Sequence, residues 1–259
     1  MSKLHDVFAN AKANNRAALI AYLPAGYPTK AGAVECLTAM IRGGVDIVEI
    51  GLPYSDPVMD GPTIQAAVDQ SLKNGTKITD VIDTAKAVSN LGVPALVMSY
   101  WNPIEANGVS NFTKALSEAG GVGVITPDLT PEEATDWIAA TNGKLDRVFL
   151  VALSSTNERI AKVCSATTGF IYAGAVMGVT GARETVLDSV KDLVAKTRTH
   201  TELPIAVGLG VSTPAQAKEI AQYADGVIVG SAFVTAIEQG GPAAAEKLAR
   251  ELSAALNRN

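Results

Sequence analysis

A closed (β/α)8 barrel is the fold this sequence predicts, and three observations carry the prediction. Eight short β-rich runs are spaced along 259 residues. Each is followed by a loop marked by Gly, Pro, Ser, Thr or Asn, and then by a helical pattern. No low-complexity stretch or linker divides the chain, and α/β barrels of this length form single domains, so residues 1–259 are expected to be one domain. An open eight-stranded sheet has the same periodicity, which does not by itself show closure.

The runs are residues 17–23, 45–50, 95–99, 122–126, 147–153, 169–172, 204–207 and 226–229. The second ends on a carboxylate: in Val45-Asp-Ile-Val-Glu49, alternation puts Val45, Ile47 and Glu49 on one face and Asp46, Val48 and Ile50 on the other. After it, residues 52–62 are long for a βα connection and are expected to form a lid. The fourth helix is expected to start at Thr130-Pro131-Glu132-Glu133, with Pro at the first helical position and acids in the first turn. The fifth is expected to start at Ser155-Thr-Asn157-Glu158 and the seventh at Ser212-Thr213-Pro214, where small polar residues offer N-caps. After the eighth run, residues 231–238 read as a short extra helix closed by Gly240-Gly241-Pro242.

Composition excludes several classes of function. The chain is 47% hydrophobic and 18% charged, enough apolar residue for one large core. Its net charge of −5 argues against nucleic acid or an anionic membrane as partner. No apolar run approaches the ~18 residues of a membrane span, and Met1-Ser-Lys-Leu-His5 is not a signal peptide, so a cytoplasmic protein is expected. Cys36 and Cys164 read as small buried hydrophobes rather than a metal or redox pair. His5 and His200 are the only histidines and lie far apart, which leaves a zinc cluster or a Ser-His-Asp triad poorly supported; no metal ligands are expected. Schiff-base chemistry needs a lysine reaching into the barrel, and none of the eight runs contains one.

Two groups of residues carry chemistry. An ionised Glu49 on an apolar face is costly unless it is paired or has work to do, and Asp56 and Asp60 follow it in the loop. Barrel enzymes place reactive groups at the C-terminal ends of strands, where Glu49 and Asp60 fall. Read locally, Asp60 in Asp-Gly-Pro is better explained as a turn residue, and Glu49 could be an inert, hydrogen-bonded core residue. The second group is three glycine clusters after the last three runs: Gly178-Val-Thr180-Gly181, Gly208-Leu-Gly210-Val-Ser212 and Gly230-Ser231. Glycine lets backbone N–H groups approach an anion, and the loops after strands seven and eight are the usual phosphate grip of such barrels. A phosphorylated ligand is therefore expected. A sugar-phosphate isomerase and a catalytically silent phosphate-binding barrel remain compatible with these features.

The run Glu49-Ile-Gly-Leu-Pro-Tyr-Ser-Asp-Pro-Val-Met-Asp60-Gly-Pro-Thr-Ile-Gln65 closely resembles the signature of the tryptophan synthase α-chain family. The three glycine clusters match its phosphate loops in order and spacing, and the resemblance covers nearly the whole chain. It implies retro-aldol cleavage of indole-3-glycerol phosphate to indole and glyceraldehyde 3-phosphate. By that resemblance Glu49 and Asp60 are the catalytic pair, with Tyr172 close by. Tyr22, Met98, Tyr100, Ile125, Pro127 and Leu209 would sandwich the indole, and Thr180, Gly181, Gly210, Gly230 and Ser231 would bind the phosphate. The loop around Pro53 and Asp56 would face a tryptophan synthase β chain in an α2β2 complex, with Asn102 supporting it. Pyridoxal phosphate is expected in that partner and no cofactor in this chain. Two departures stand out: Ala175-Val176 occupies the place of a common Ser-Arg pair, and Pro24 that of a common Thr.

Overall fold

The computed structural model of the chain describes residues 3–174, 183–208 and 210–258. Among these, nine parallel strand segments form one sheet: β1 (Ala18–Pro24), β2 (Ile47–Gly51), β3 (Ala95–Met98), β4 (Gly123–Ile125), β5 (Asp146–Val148), β6 (Leu150–Ala152), β7 (Ile171–Gly174), β8 (Ile205–Gly208) and β9 (Gly226–Val229). Their order is β5-β4-β3-β2-β1-β9-β8-β7-β6. The two ends of that order, β5 and β6, are separated along the chain by Phe149 alone. The sheet therefore closes on itself, as in a TIM barrel.

The expected fifth strand is thus two strands. Its first half pairs with β4 and its second with β7, and the ladder changes sides at Phe149. A run of apolar residues carries no mark of such a break, because both halves are equally β-rich.

The eleven helices among the described residues lie in the connections and at the chain ends. Four of them position the site or its surroundings: α1 (Lys3–Ala13), α3 (Pro62–Lys73), α5 (Trp101–Asn107) and α11 (Ser231–Ala255). The segment expected to open the fourth helix is instead a turn, closed by Glu133 N–H to Thr130 O at 3.1 Å. The helix there, α7 (Thr135–Thr141), begins only after Ala134, so Pro131 heads a turn and not a helix. The expected caps of α8 (Asn157–Ala166) and α10 (Pro214–Ala221) are present: Thr156 accepts from Arg159 N–H, and Thr213 from Gln216 N–H. Helix α11 is broken by non-helical geometry at Gly240 and Gly241, ahead of Pro242, so its first part is the short helix expected from the sequence.

Period-two alternation divides the apolar residues into two cores. Leu19, Ala21, Val48, Ile50, Val227 and Val229 join the larger cluster shared with the helices. Ile20, Ile47, Leu96, Ile125, Val148, Ala206 and Ile228 fill the barrel interior. Leu4, Phe8 and Ala11 of α1 pack into that interior cluster, with Phe8 and Phe170 5.6 Å apart between ring centres. Ile47 and Glu49 are two residues apart on β2, so the register that buries Ile47 in the interior also turns Glu49 inward.

Candidate active site

A cavity of about 630 Å³ lies within the ring, walled by residues from strand ends and βα loops. Glu49 and Asp60 both line it. Glu49 is 0% exposed, and neither of its carboxylate oxygens has a hydrogen-bond partner among the described residues. Burial alone pushes its pKa up to about 8, so the group is neutral over most of the physiological range. A barrel interior that strands a carboxyl in this way stores a proton at the cavity wall.

Asp60 reaches the cavity from the loop between β2 and α3. Its pKa is also raised by burial, but a hydrogen bond from Tyr100 pulls it back down. The two acids therefore sit in different electrostatic surroundings. Gln65 Nε2 donates to the Asp60 carbonyl at 2.8 Å and holds the loop where it enters α3.

Two phenols share the cavity with the acids. Tyr22 on β1 pairs in register with Glu49, and Tyr172 lies on β7; both line the cavity. Burial raises the pKa of each, and the charges of both Asp60 and Glu49 raise it further, which places all four groups around one space. The ring and hydroxyl of Tyr22 occupy the room a side chain at Gly51 would need, and those of Tyr172 the room at Gly208. Both glycines are required by close approach.

Across the cavity, Gly208, Gly210, Gly230 and Ser231 form the wall at the ends of β8 and β9. Gly210 has φ +61°, a conformation costly for other residues. Among the described lining residues the one Lys or Arg is Arg159, which is paired to Glu132 at 2.6 Å. An anion held here would rely on backbone N–H groups and the start of α11.

Of the residues expected around an indole ring, Tyr22, Met98 and Pro127 line the cavity. Ile125 does not: it is fully buried in the interior cluster. Tyr100 also stands off the wall, and its hydroxyl accepts from Val58 N–H at 3.1 Å and Met59 N–H at 2.9 Å, behind the Asp60 loop. Leu209, Thr180, Gly181 and the Ala175-Val176 departure lie outside the described residues. Pro24 ends β1, buried and paired with Gly51. In the expected partner loop Pro53 is buried and Asp56 exposed, while Val58 and Met59 are 83% and 41% exposed. Asn102 Nδ2 donates to Tyr54 Oη in that loop at 3.1 Å.

Sequence reasoning missed Met59, Ile64, Leu129, Phe149 and Leu150 on the wall. The adjacency of Met59 to Asp60 was the available signal. Phe149 and Leu150 had none, because alternation along an unbroken strand would put only one of them inside.

The sequence model described as tryptophan synthase alpha chain matches residues 8–258. The chain belongs to the tryptophan synthase α-chain family. It is 56% identical over 240 residues to the tryptophan synthase α chain of Nocardia farcinica, covering 92% of this chain and 90% of that one. The α chain of Mycobacteroides abscessus is 52% identical over 257 residues, covering 99% and 98%. Among solved structures, a chain of Mycobacterium tuberculosis tryptophan synthase superposes with a TM-score of 0.94 at 49% identity, covering 99% of this chain and 98% of that one. As a tryptophan synthase α chain, the protein is a carbon–carbon lyase of tryptophan biosynthesis that cleaves indole-3-glycerol phosphate.

Proposed function

We propose that Glu49 and Asp60 carry the cleavage between them. Glu49, neutral and free of partners, donates its proton to indole C3. The ring then carries positive charge, which an ionised Asp60 near the ring N–H stabilises. Glu49, now a carboxylate, removes the proton from the side-chain hydroxyl. The carbon–carbon bond breaks, its electrons return to the ring, and indole and glyceraldehyde 3-phosphate result. Glu49 ends as it began, so no proton is gained or lost overall. Tyr22, Met98 and Pro127 flank the ring, Tyr172 supports the acids, and Gly210, Gly230 and Ser231 take the phosphate. The observation that carries this reading is the meeting of both acids at one cavity, with the Glu49 oxygens unpartnered.

The β chain is the partner proposed for the loop around Pro53 and Asp56, where Val58 and Met59 present apolar side chains to solvent. In such an α2β2 assembly, indole would pass to the pyridoxal phosphate of the β chain, with no cofactor held here. A cytoplasmic setting fits Cys36 and Cys164, which are free and buried. No described helix is long and apolar enough to cross a membrane.

The test is indole release from indole-3-glycerol phosphate, with and without the β chain. Glu49→Gln and Asp60→Asn should each lower turnover about 100-fold or more while the melting transition persists. Near-normal release by either variant would remove that residue from the mechanism.

A further inference from the structure

Asp60 sits in a loop, yet its proposed task requires its carboxylate to be held in one place. The groups that hold it are arranged in a line. The Tyr100 hydroxyl accepts two amide protons, from Val58 and Met59, which fills both its lone pairs. Its own proton is left to donate toward Asp60, whose carboxyl pKa Tyr100 lowers. Tyr100 in turn is the residue before α5, where its own side chain provides no cap. The cap comes from another connection: Trp101 N–H donates to both carboxylate oxygens of Asp128, at 2.9 and 3.1 Å. Asp128 belongs to the loop after β4, which is braced against α8 by Glu132, accepting from Arg159 at 2.6 Å and Lys162 at 3.1 Å.

From this arrangement we infer that Asp128 is a positioning residue for the cleavage reaction: by fixing the start of α5 it holds the Tyr100 hydroxyl, which holds the Asp60 loop and carboxylate. The inference rests on the proposed role of Asp60. It gives a purpose to a carboxylate placed at the cavity rim yet engaged with the backbone of a neighbouring connection. Besides Tyr100, Tyr22 and Tyr172 among the described residues feel the charge of Asp60, and of the three phenols only Tyr100 lowers its pKa through a hydrogen bond.

The test uses the full chain assembled with the β chain, measuring kcat and KM for indole-3-glycerol phosphate across pH. Asp128→Ala should lower kcat about 10-fold with KM changed less than threefold. Asp128→Asn keeps an acceptor oxygen for Trp101 N–H and should recover most of that rate. Tyr100→Phe removes the hydroxyl, so Asp60 should stay protonated to higher pH, moving the acidic limb of kcat upward by about one unit. Asp128→Ala should move the limb in the same direction by less. An acidic limb unmoved in Tyr100→Phe, or an Asp128→Asn variant as slow as Asp128→Ala, would overturn the inference. Asp60→Asn is the separating control: if it retains full turnover, the role of Asp60 itself fails, whereas an inactive Asp60→Asn beside unaltered Tyr100 and Asp128 variants refutes the positioning alone.

Discussion

Glu49 illustrates how one residue can be read from sequence in kind but not in degree. Its position at the end of a β-rich run and its inward parity follow from alternation. Its isolation does not, because whether a buried carboxyl finds a donor depends on neighbours from other strands. That isolation has a measurable cost. Below about pH 4.5 the carboxyl is neutral in folded and unfolded chains alike. Between that value and about 8, the unfolded chain releases the proton and the folded chain keeps it, so stability falls as pH rises. Glu49→Gln lacks this fall. The variant should therefore gain on the parent by roughly 3–5 kcal/mol between pH 4.5 and pH 9. Denaturant unfolding of both proteins across that range measures the difference, in which all other titrating groups cancel. A constant difference would mean that Glu49 finds a donor in solution.

At the scale of elements, most strands and their order of appearance were legible because each is a compact apolar run between turn residues. The break at Phe149 and the late start of α7 were not. The first arises from pairing with two different neighbours, which no local pattern encodes. The second arises because Thr130 and Glu133 satisfy a turn as well as they would a helix start: Thr130 Oγ1 donates to Glu133 at 2.8 Å. The glycine loops were legible as a group, since glycine recurs where backbone must approach a ligand or a neighbouring ring. Gly210 offers a test of the anion wall. A side chain there would meet open space, so no clash is introduced, but its φ of +61° disfavours any residue with a Cβ by about 1–2 kcal/mol. Gly210→Val should shift the loop and raise KM for indole-3-glycerol phosphate several-fold, with a smaller effect on kcat. Saturation curves identical to the parent's would count against an anion seat at this loop.

Across the whole molecule, chemistry and structural support occupy opposite ends of the ring. The acids and glycines lie at the C-terminal ends of the strands, while Leu4, Phe8 and Ala11 of α1 pack into the interior cluster. Phe8→Ala should then cost about 3–5 kcal/mol of stability and leave kcat within twofold of the parent, measured well below the melting temperature. A large fall in kcat at full occupancy of the folded state would show that the interior core transmits strain to the acids.

The sheet order also has a temporal consequence. β1 pairs with β2 on one side and with β9 on the other, and β9 is the last strand to leave the ribosome. Until it arrives, the pair of carboxyls made early in translation faces no enclosed space. A chain truncated before β9 should therefore leave Glu49 open to water, with the pKa of an ordinary carboxylate. On that argument, closing the ring with β9 is what turns Glu49 into a proton donor, and a version ending before β9 should release no indole.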